Sequence, residues 1–251
     1  MKDKTMTPHE KEVQERIKGY PEDKAMKTAA HDFMAASFKS QYSYNFFWMG
    51  RPIIQYPQDI VAMQELIWTL QPDLIIETGI AHGGSLIFSA SMLELNAACG
   101  GPAAAEVAAV DIDIRAHNRA AIEAHPMFKR ISLIQGSSID AGVIEQIKAK
   151  TAGKKSVLVC LDSNHTHDHC LAELVAYAPL VTVGSYCVMF DTMVEELPAE
   201  MFANRPWGPG DNPMTAVHQY IAAHPEFEID KSRSDKLLIT VAPNGFLKRL
   251  K

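Results

Sequence analysis

The chain has no apolar run approaching the ~18 residues that a membrane-spanning helix needs, although 47% of its 251 residues are hydrophobic. That apolar content is expected to form a buried core, and no transmembrane segment is expected. The opening MKDKTMTPHEKEVQERIKGYPEDK lacks the hydrophobic stretch of a secretory signal, so the expected location is the cytoplasm. Cysteine is scarce: Cys99, Cys160, Cys170 and Cys187 show no CxxC spacing. In a reducing compartment they read as small core residues rather than as disulfides or a zinc site. Lysine and arginine form no cluster, and the formal charge of -6 disfavours nucleic acid, whose binding depends on neutralising phosphates. Repeats and low-complexity tracts are absent, and NAACGGPAAAEV at 96–107 reads as a flexible connection.

What is present alternates between strands and helices. Residues 1 to about 40 read as one or two amphipathic helices that could mediate self-association into a homo-oligomer. The stretch YSYNFFWMGRPIIQYPQD comes next, aromatic and broken by Pro and Gly as an ordered covering loop would be. Ile60, Met63, Leu66, Ile67 and Leu70 repeat at helical spacing and predict a helix over Pro57–Leu70. Short apolar runs then occur at Leu74–Ile76, Val107–Val110, Ile131–Ile134, Val157–Leu161, Tyr186–Phe190 and Leu237–Val241, with helical segments at Ser85–Leu95, Ile114–Ala124 and Ile139–Lys150. Near-continuous hydrophobic strands separated by helices imply an α/β fold with a doubly wound, mostly parallel sheet covered on both faces. Length favours one such domain, over 57–251, with an N-terminal helical extension and covering loop over 1–56. Ligands of such sheets gather at the carboxyl ends of the strands, near the switch in strand order.

The first of these strand ends carries the strongest signal, DLIIETGIAHGGSLIFSASML, in which Glu77 and Thr78 lead into Gly79, Gly83 and Gly84 before a helix opens at Ser85. Glycines there let backbone approach a ligand. Ala81 occupies the second glycine position of the dinucleotide fingerprint GxGxxG, so the match to a pyrophosphate cradle is poor. An acidic residue two positions before the first glycine suits a cofactor with an ammonium and no phosphate. The second strand ends in AAVDIDIRAHN, where Asp111 can accept hydrogen bonds from both ribose hydroxyls of a nucleoside. After the third strand, Gln135-Gly136-Ser137-Ser138 suits contacts around an adenine.

FFWMGRPIIQYPQDIVAMQELIW, DLIIETGIAHGGS, VDIDIRAHNRAAIEAHP, QGSS, LVCLDSNHTHDH and GSYCVMFDT together resemble the cephalosporin hydroxylase/rhamnosyl O-methyltransferase family, from about residue 42 to the C-terminus. The resemblance implies S-adenosylmethionine as cofactor, a class I methyltransferase (Rossmann-like) sheet of seven strands whose last strand is antiparallel, and magnesium as the usual metal. It implies cofactor contacts from Glu77, Thr78, Gly79, Ala81, Gly83, Ser85, Asp111, Ser137, Ser138 and Asp162. Members often accompany sugar and natural-product pathways.

The fourth strand delivers LDSNHTHDH, with Asp162, Asn164, His165, His167, Asp168 and His169 within eight residues, and the fifth delivers Asp191 and Thr192. Carboxylates suit a hard cation such as magnesium, which takes one or two of them and keeps several waters. Asp162 and Asp191 are the metal candidates. A cation held there would bind a substrate hydroxyl, lower its pKa and align its oxygen with the sulfonium methyl. His165 is the candidate general base beside Asp162, because the unperturbed imidazole pKa of about 6.5 lies near operating pH. Two readings compete with this one: His165, His167 and His169 could converge on zinc or iron, or they could decorate a polar loop. In the antibiotic-pathway branch of the family the fifth-strand motif looks like an acidic pair before Thr, whereas this chain has Phe190-Asp191-Thr192. Phe190 could pack in the core or stack on a sugar face.

Two loops could wall the acceptor pocket. Asn45–Asp59 brings Phe46, Phe47, Trp48, Arg51 and Tyr56, while Asn204–Pro213 reads NRPWGPGDNP and suggests a shaped lid around Trp207. Arg51, His167, Asp191 and Trp207 are the acceptor candidates. The expected reaction is transfer of methyl to a hydroxyl of a sugar or glycosylated small molecule. The alternatives are an NAD-dependent oxidoreductase, or a noncatalytic partner protein that keeps the methyltransferase fold.

Overall fold

Thr7 and Glu10 open the first helix by reciprocal capping, the Thr7 hydroxyl accepting from the Glu10 N–H and the Glu10 carboxylate from the Thr7 N–H, with Pro8 at the first helical position. That helix, α1 (Pro8–Gly19), is followed by α2 (Lys24–Lys39), whose amino end Asp23 caps. The structure is a computed structural model describing residues 6–251; the first five residues of the expected helical extension lie outside the described residues. Within the covering loop, β1 (Phe46–Trp48) and β2 (Arg51–Ile53) pair antiparallel across Met49-Gly50, both at positive φ as a tight hairpin turn requires. The hairpin is anchored by the Trp48 indole N–H, which donates to Ser91 Oγ at 3.0 Å, and by Trp48 packing edge-on against Phe88. Met34, Ile53 and Tyr56 join the same apolar cluster as Leu66 and Phe88, so the N-terminal segment shares a core with the sheet-bearing part of the chain.

From α3 (Pro57–Leu70) onward the chain alternates as β3 (Leu74–Thr78), α4 (Gly84–Ala98), β4 (Glu106–Asp111), α5 (Ala116–Glu123), β5 (Ile131–Gln135), α6 (Ala141–Lys150), β6 (Val157–Leu161), α7 (His167–Tyr177) and β7 (Tyr186–Met189). It closes with α8 (Pro213–Ala223), β8 (Phe227–Ile229), α9 (Lys231–Leu237) and β9 (Phe246–Arg249). The order across the seven-stranded sheet is β5-β4-β3-β6-β7-β9-β8, with β9 antiparallel to both neighbours and the remaining pairs parallel. Every residue of β3 is buried: Ile75 enters the cluster on one face, Leu74 and Ile76 the cluster on the other. Burial of each such side chain contributes about 1.5–3 kcal/mol, which is why the sequence of a two-face-covered strand is continuously apolar. This is the doubly wound, class I methyltransferase sheet expected from the sequence.

One expected strand is wrong. Leu237–Val241 does not join the sheet: α9 takes its first residue, Leu238 adopts φ 59°, and the Asp59 carboxylate accepts from the Thr240 hydroxyl and the Val241 N–H. The sheet's last two strands are instead the short β8 and β9. Of the four cysteines, Cys160, Cys170 and Cys187 are buried as expected, while Cys99 is exposed just past α4.

Candidate active site

The chain winds outward from β3 to β4 and β5 on one side, then returns to place β6 and β7 on the other, so a crevice opens at the carboxyl ends of β3, β4 and β6. Gly79 sits at its centre with φ 87°, and a Cβ there would stand 1.9 Å from the Asp162 carbonyl oxygen. Glycine is therefore needed so that the turn after β3 can cross the end of β6. Gly83, the N-cap of α4 at φ 83°, has no side chain to cap the helix, and a Cβ would meet Ile122. These glycines thus have packing reasons as well as the ligand reason read from sequence.

Gly79, Ala81, Ser85, Asp111 and Asp162 line one cleft of about 290 Å³. A second cavity of about 150 Å³ shares Gly79, Asp111 and Ser163 with it and is walled by Ser137, Ser138 and His169. Asp111 uses one lone pair of each oxygen locally, accepting from the Ile80 N–H at 2.7 Å and the Asp113 N–H at 2.9 Å. A carboxylate has about four acceptor positions, which leaves two for a diol. Tyr177 O–H donates to the Ser138 carbonyl at 2.7 Å, fixing the serine turn. Thr78 is fully buried in β3, and among the described residues its hydroxyl has no partner.

Behind the cleft, Glu77 is buried, accepts from the Ser85 hydroxyl, and has its pKa raised to about 7 by loss of solvent, against the lowering influence of Ser85 and Ser89. Asp59 is also raised to about 7 by burial, which outweighs its bonds to Thr240 and Val241. Both carboxylates, with Gln55, Asp162 and Phe190, border a small interior void, and among the described residues the buried Gln55 side-chain oxygen has no partner. A cationic group reaching this region would favour the ionised forms of these acids, which burial now disfavours. Sequence reading missed Asp59, Gln55 and Ser89. Ser89 had a legible signal, since it lies one helical turn beyond Ser85 on a mostly apolar helix.

At the other side of the cleft Asp162, from the end of β6, and Asp191, just after β7, converge with His165: one ligand atom from each lies within 4.8 Å of the others. Asp191 occupies this position with φ 55°. His165 Nε2 is 3.2 Å from Asp191 Oδ2, and Trp207 packs edge-on against the imidazole with centroids 4.8 Å apart. Burial, then the Asp191 charge, then that of Glu77, push the Asp162 carboxyl well above the usual carboxylate range. Two oxygen donors and an imbalance of negative charge fit a hard divalent cation, which would remove the repulsion that raises Asp162.

The three histidines do not converge. His167 is turned to α8, its ring nitrogens 2.7 Å from Thr215 Oγ1 and 3.0 Å from Gln219 Oε1. His169 faces Ser138 and Ser163 at the second cavity. Arg51 does not line the cleft either. Its guanidinium donates to the His82 carbonyl and, at 3.1 Å, to Asn118 Oδ1, tying the hairpin to the glycine turn. Phe190 is buried in the core. The segment around Trp207 is pinned rather than loose: Gly208 and Asp211 bridge each other, Glu195 accepts from Gly210 and Asn212, and Asn212 caps α8.

A doubly wound sheet with its last strand antiparallel, a glycine turn facing the Asp111 carboxylate, and an acidic group beside them define a protein of the class I methyltransferase type. Residues 40–250 match the family model described as Rhamnosyl O-methyltransferase/CmcI, and the chain belongs to that family. It is 31% identical over 226 residues to the rhamnosyl O-methyltransferase of Mycobacterium bovis (strain BCG / Pasteur 1173P2), covering 87% of this chain and 86% of that one. Its identity to the Mycobacterium leprae rhamnosyl O-methyltransferase is 30%, over 87% and 91% of the two chains. Among solved structures, a CmcI complex with Mg and SAM superposes with TM-score 0.57 at 18% identity, covering 83% of this chain and 78% of that one. An O-methyltransferase from Bacillus cereus in complex with SAH gives 0.51 at 16% identity, over 82% of each.

Proposed function

We propose that the chain is an S-adenosylmethionine-dependent O-methyltransferase, assisted by a divalent cation, that methylates a hydroxyl of a sugar or glycosylated acceptor in the cytoplasm. The observation that carries this reading is the convergence of Asp162, His165 and Asp191 beside the cleft that Gly79 and Asp111 line. Kinship with rhamnosyl O-methyltransferases supports the sugar acceptor. Exposed Met26 and Phe33 on α2 support self-association through the N-terminal helices.

When bound, S-adenosylmethionine supplies the electrophilic methyl group and a magnesium ion acidifies the acceptor hydroxyl. Asp162 and Asp191 would hold that ion through their carboxylate oxygens. His165, whose Nε2 faces Asp191 Oδ2, would accept the hydroxyl proton at its other ring nitrogen, Nδ1, as the methyl carbon bonds to the acceptor oxygen and its bond to sulfur breaks, with the Trp207 edge limiting rotation of the ring. Asp111 would accept from the ribose hydroxyls, Ser137 and Ser138 would border the adenine, and Glu77 with Ser85 would face the amino acid end. A dinucleotide would need a glycine where this turn has Ala81, so the oxidoreductase reading has no support of its own. Calorimetric titration with S-adenosylmethionine and with NAD separates the two. Binding of the first alone is expected, and binding of NAD alone would reverse the assignment.

A further inference from the structure

The reaction cleft continues past the ion-binding group. Phe38, Ser43 and Tyr44 are shared with an adjoining cavity of about 310 Å³, which Lys39, Met201 and Arg205 also border. The Arg205 guanidinium lies 5.3 Å from the Trp207 ring centre, and Trp207 lies 4.8 Å from the His165 ring, so the cation stands no more than about 10 Å from the proposed base. Lys39 and Arg205 are both exposed, and among the described residues neither meets a carboxylate. Solvated surface cations are common, but these two border one cavity with an aromatic and thioether lining, joined to the place where a hydroxyl would react.

We propose that this cavity receives an anionic group, a carboxylate or phosphate carried by the acceptor beyond its methylated sugar. Tyr44 and Met201 would cover the connecting arm while Lys39 and Arg205 pair with the anion. This rests on the acceptor reading above, because the arm must leave a sugar held at Asp162 and Asp191.

The test is calorimetry on the full chain loaded with S-adenosylhomocysteine and magnesium, titrated with methyl rhamnoside, a carboxyalkyl rhamnoside and a nucleoside diphosphate rhamnose. At low salt at least one anionic glycoside should bind about tenfold more tightly than the neutral one, as two exposed ion pairs imply. The advantage should shrink to within about twofold in the Lys39→Gln/Arg205→Gln double variant, and should decline with salt. Whichever anionic arm holds the advantage identifies the source as carboxylate or phosphate. Equal binding of all three glycosides, binding of none, or an advantage that survives in the double variant overturns the proposal. S-Adenosylhomocysteine affinity, read first in each protein, reports that the variant is folded; failure of the unaltered chain to bind it would overturn the methyl-transfer reading itself, and this one with it.

Discussion

His165 Nε2 stands 3.2 Å from Asp191 Oδ2, although the first residue comes after β6 and the second after β7. The pairing gives the imidazole a fixed partner at the place where Asp162 also arrives. An imidazole so held can accept a proton without first losing the entropy of finding its orientation. His165→Asn is therefore expected to lower methyl transfer by roughly 10²–10⁴-fold, the usual contribution of a general base, with S-adenosylmethionine affinity unchanged. The measurement is single-turnover transfer beside a binding titration. A loss of less than fivefold would remove His165 from proton transfer.

Gly79→Ala tests the close passage of the turn after β3 across the end of β6. The added Cβ would fall 1.9 Å from the Asp162 carbonyl oxygen, at φ 87°, where an L side chain is strained as well. Relief requires the Asp162 backbone to move, so about 2 kcal/mol or more of stability should be lost. Thermal denaturation and S-adenosylmethionine titration should fall together. A variant that binds the cofactor normally would mean that the turn tolerates displacement.

Asp59 predicts a pH dependence. Burial raises its pKa from 3.8 to about 7, so between those values the folded protein holds this proton more tightly than the unfolded chain does. The contribution to stability is fully present below about pH 4 and is lost as pH rises through 7. Denaturant melts should show stability declining over that interval, with a shallower decline in Asp59→Asn. An unchanged slope in the variant would show that Asp59 is not the group responsible.

His167 is expected to act through the scaffold. Its ring joins α7 to Thr215 and Gln219 of α8, and His167→Ala should cost about 1 kcal/mol per lost hydrogen bond or less while leaving the acceptor KM unmoved. A several-fold rise in KM would return the residue to the acceptor wall.

The parallel strands and the glycine turn were legible because burial on both faces demands uninterrupted apolar runs, as at Leu74–Ile76 and Val157–Leu161. The antiparallel strands β8 and β9 were not, being three and four residues long and mixed in polarity. The run at Leu237–Val241 resembles a strand, but its backbone is claimed by Asp59, a partner distant in sequence. The candidate site divides the same way. Asp111, Asp162 and Asp191 were marked by lying just where apolar strands end, whereas the divergent directions of His165, His167 and His169 depend on α8 and on the second cavity, which no local spacing encodes.

The central claim is that Asp162 and Asp191 hold a cation that methyl transfer requires. The most direct measurement is transfer of labelled methyl from S-adenosylmethionine to a rhamnoside, by the intact chain and by Asp162→Asn, after EDTA treatment and after magnesium is restored. The account predicts transfer that EDTA abolishes and magnesium restores in the intact chain, and a variant with little transfer under either condition. Undiminished transfer in EDTA, or a fully active Asp162→Asn, would contradict it.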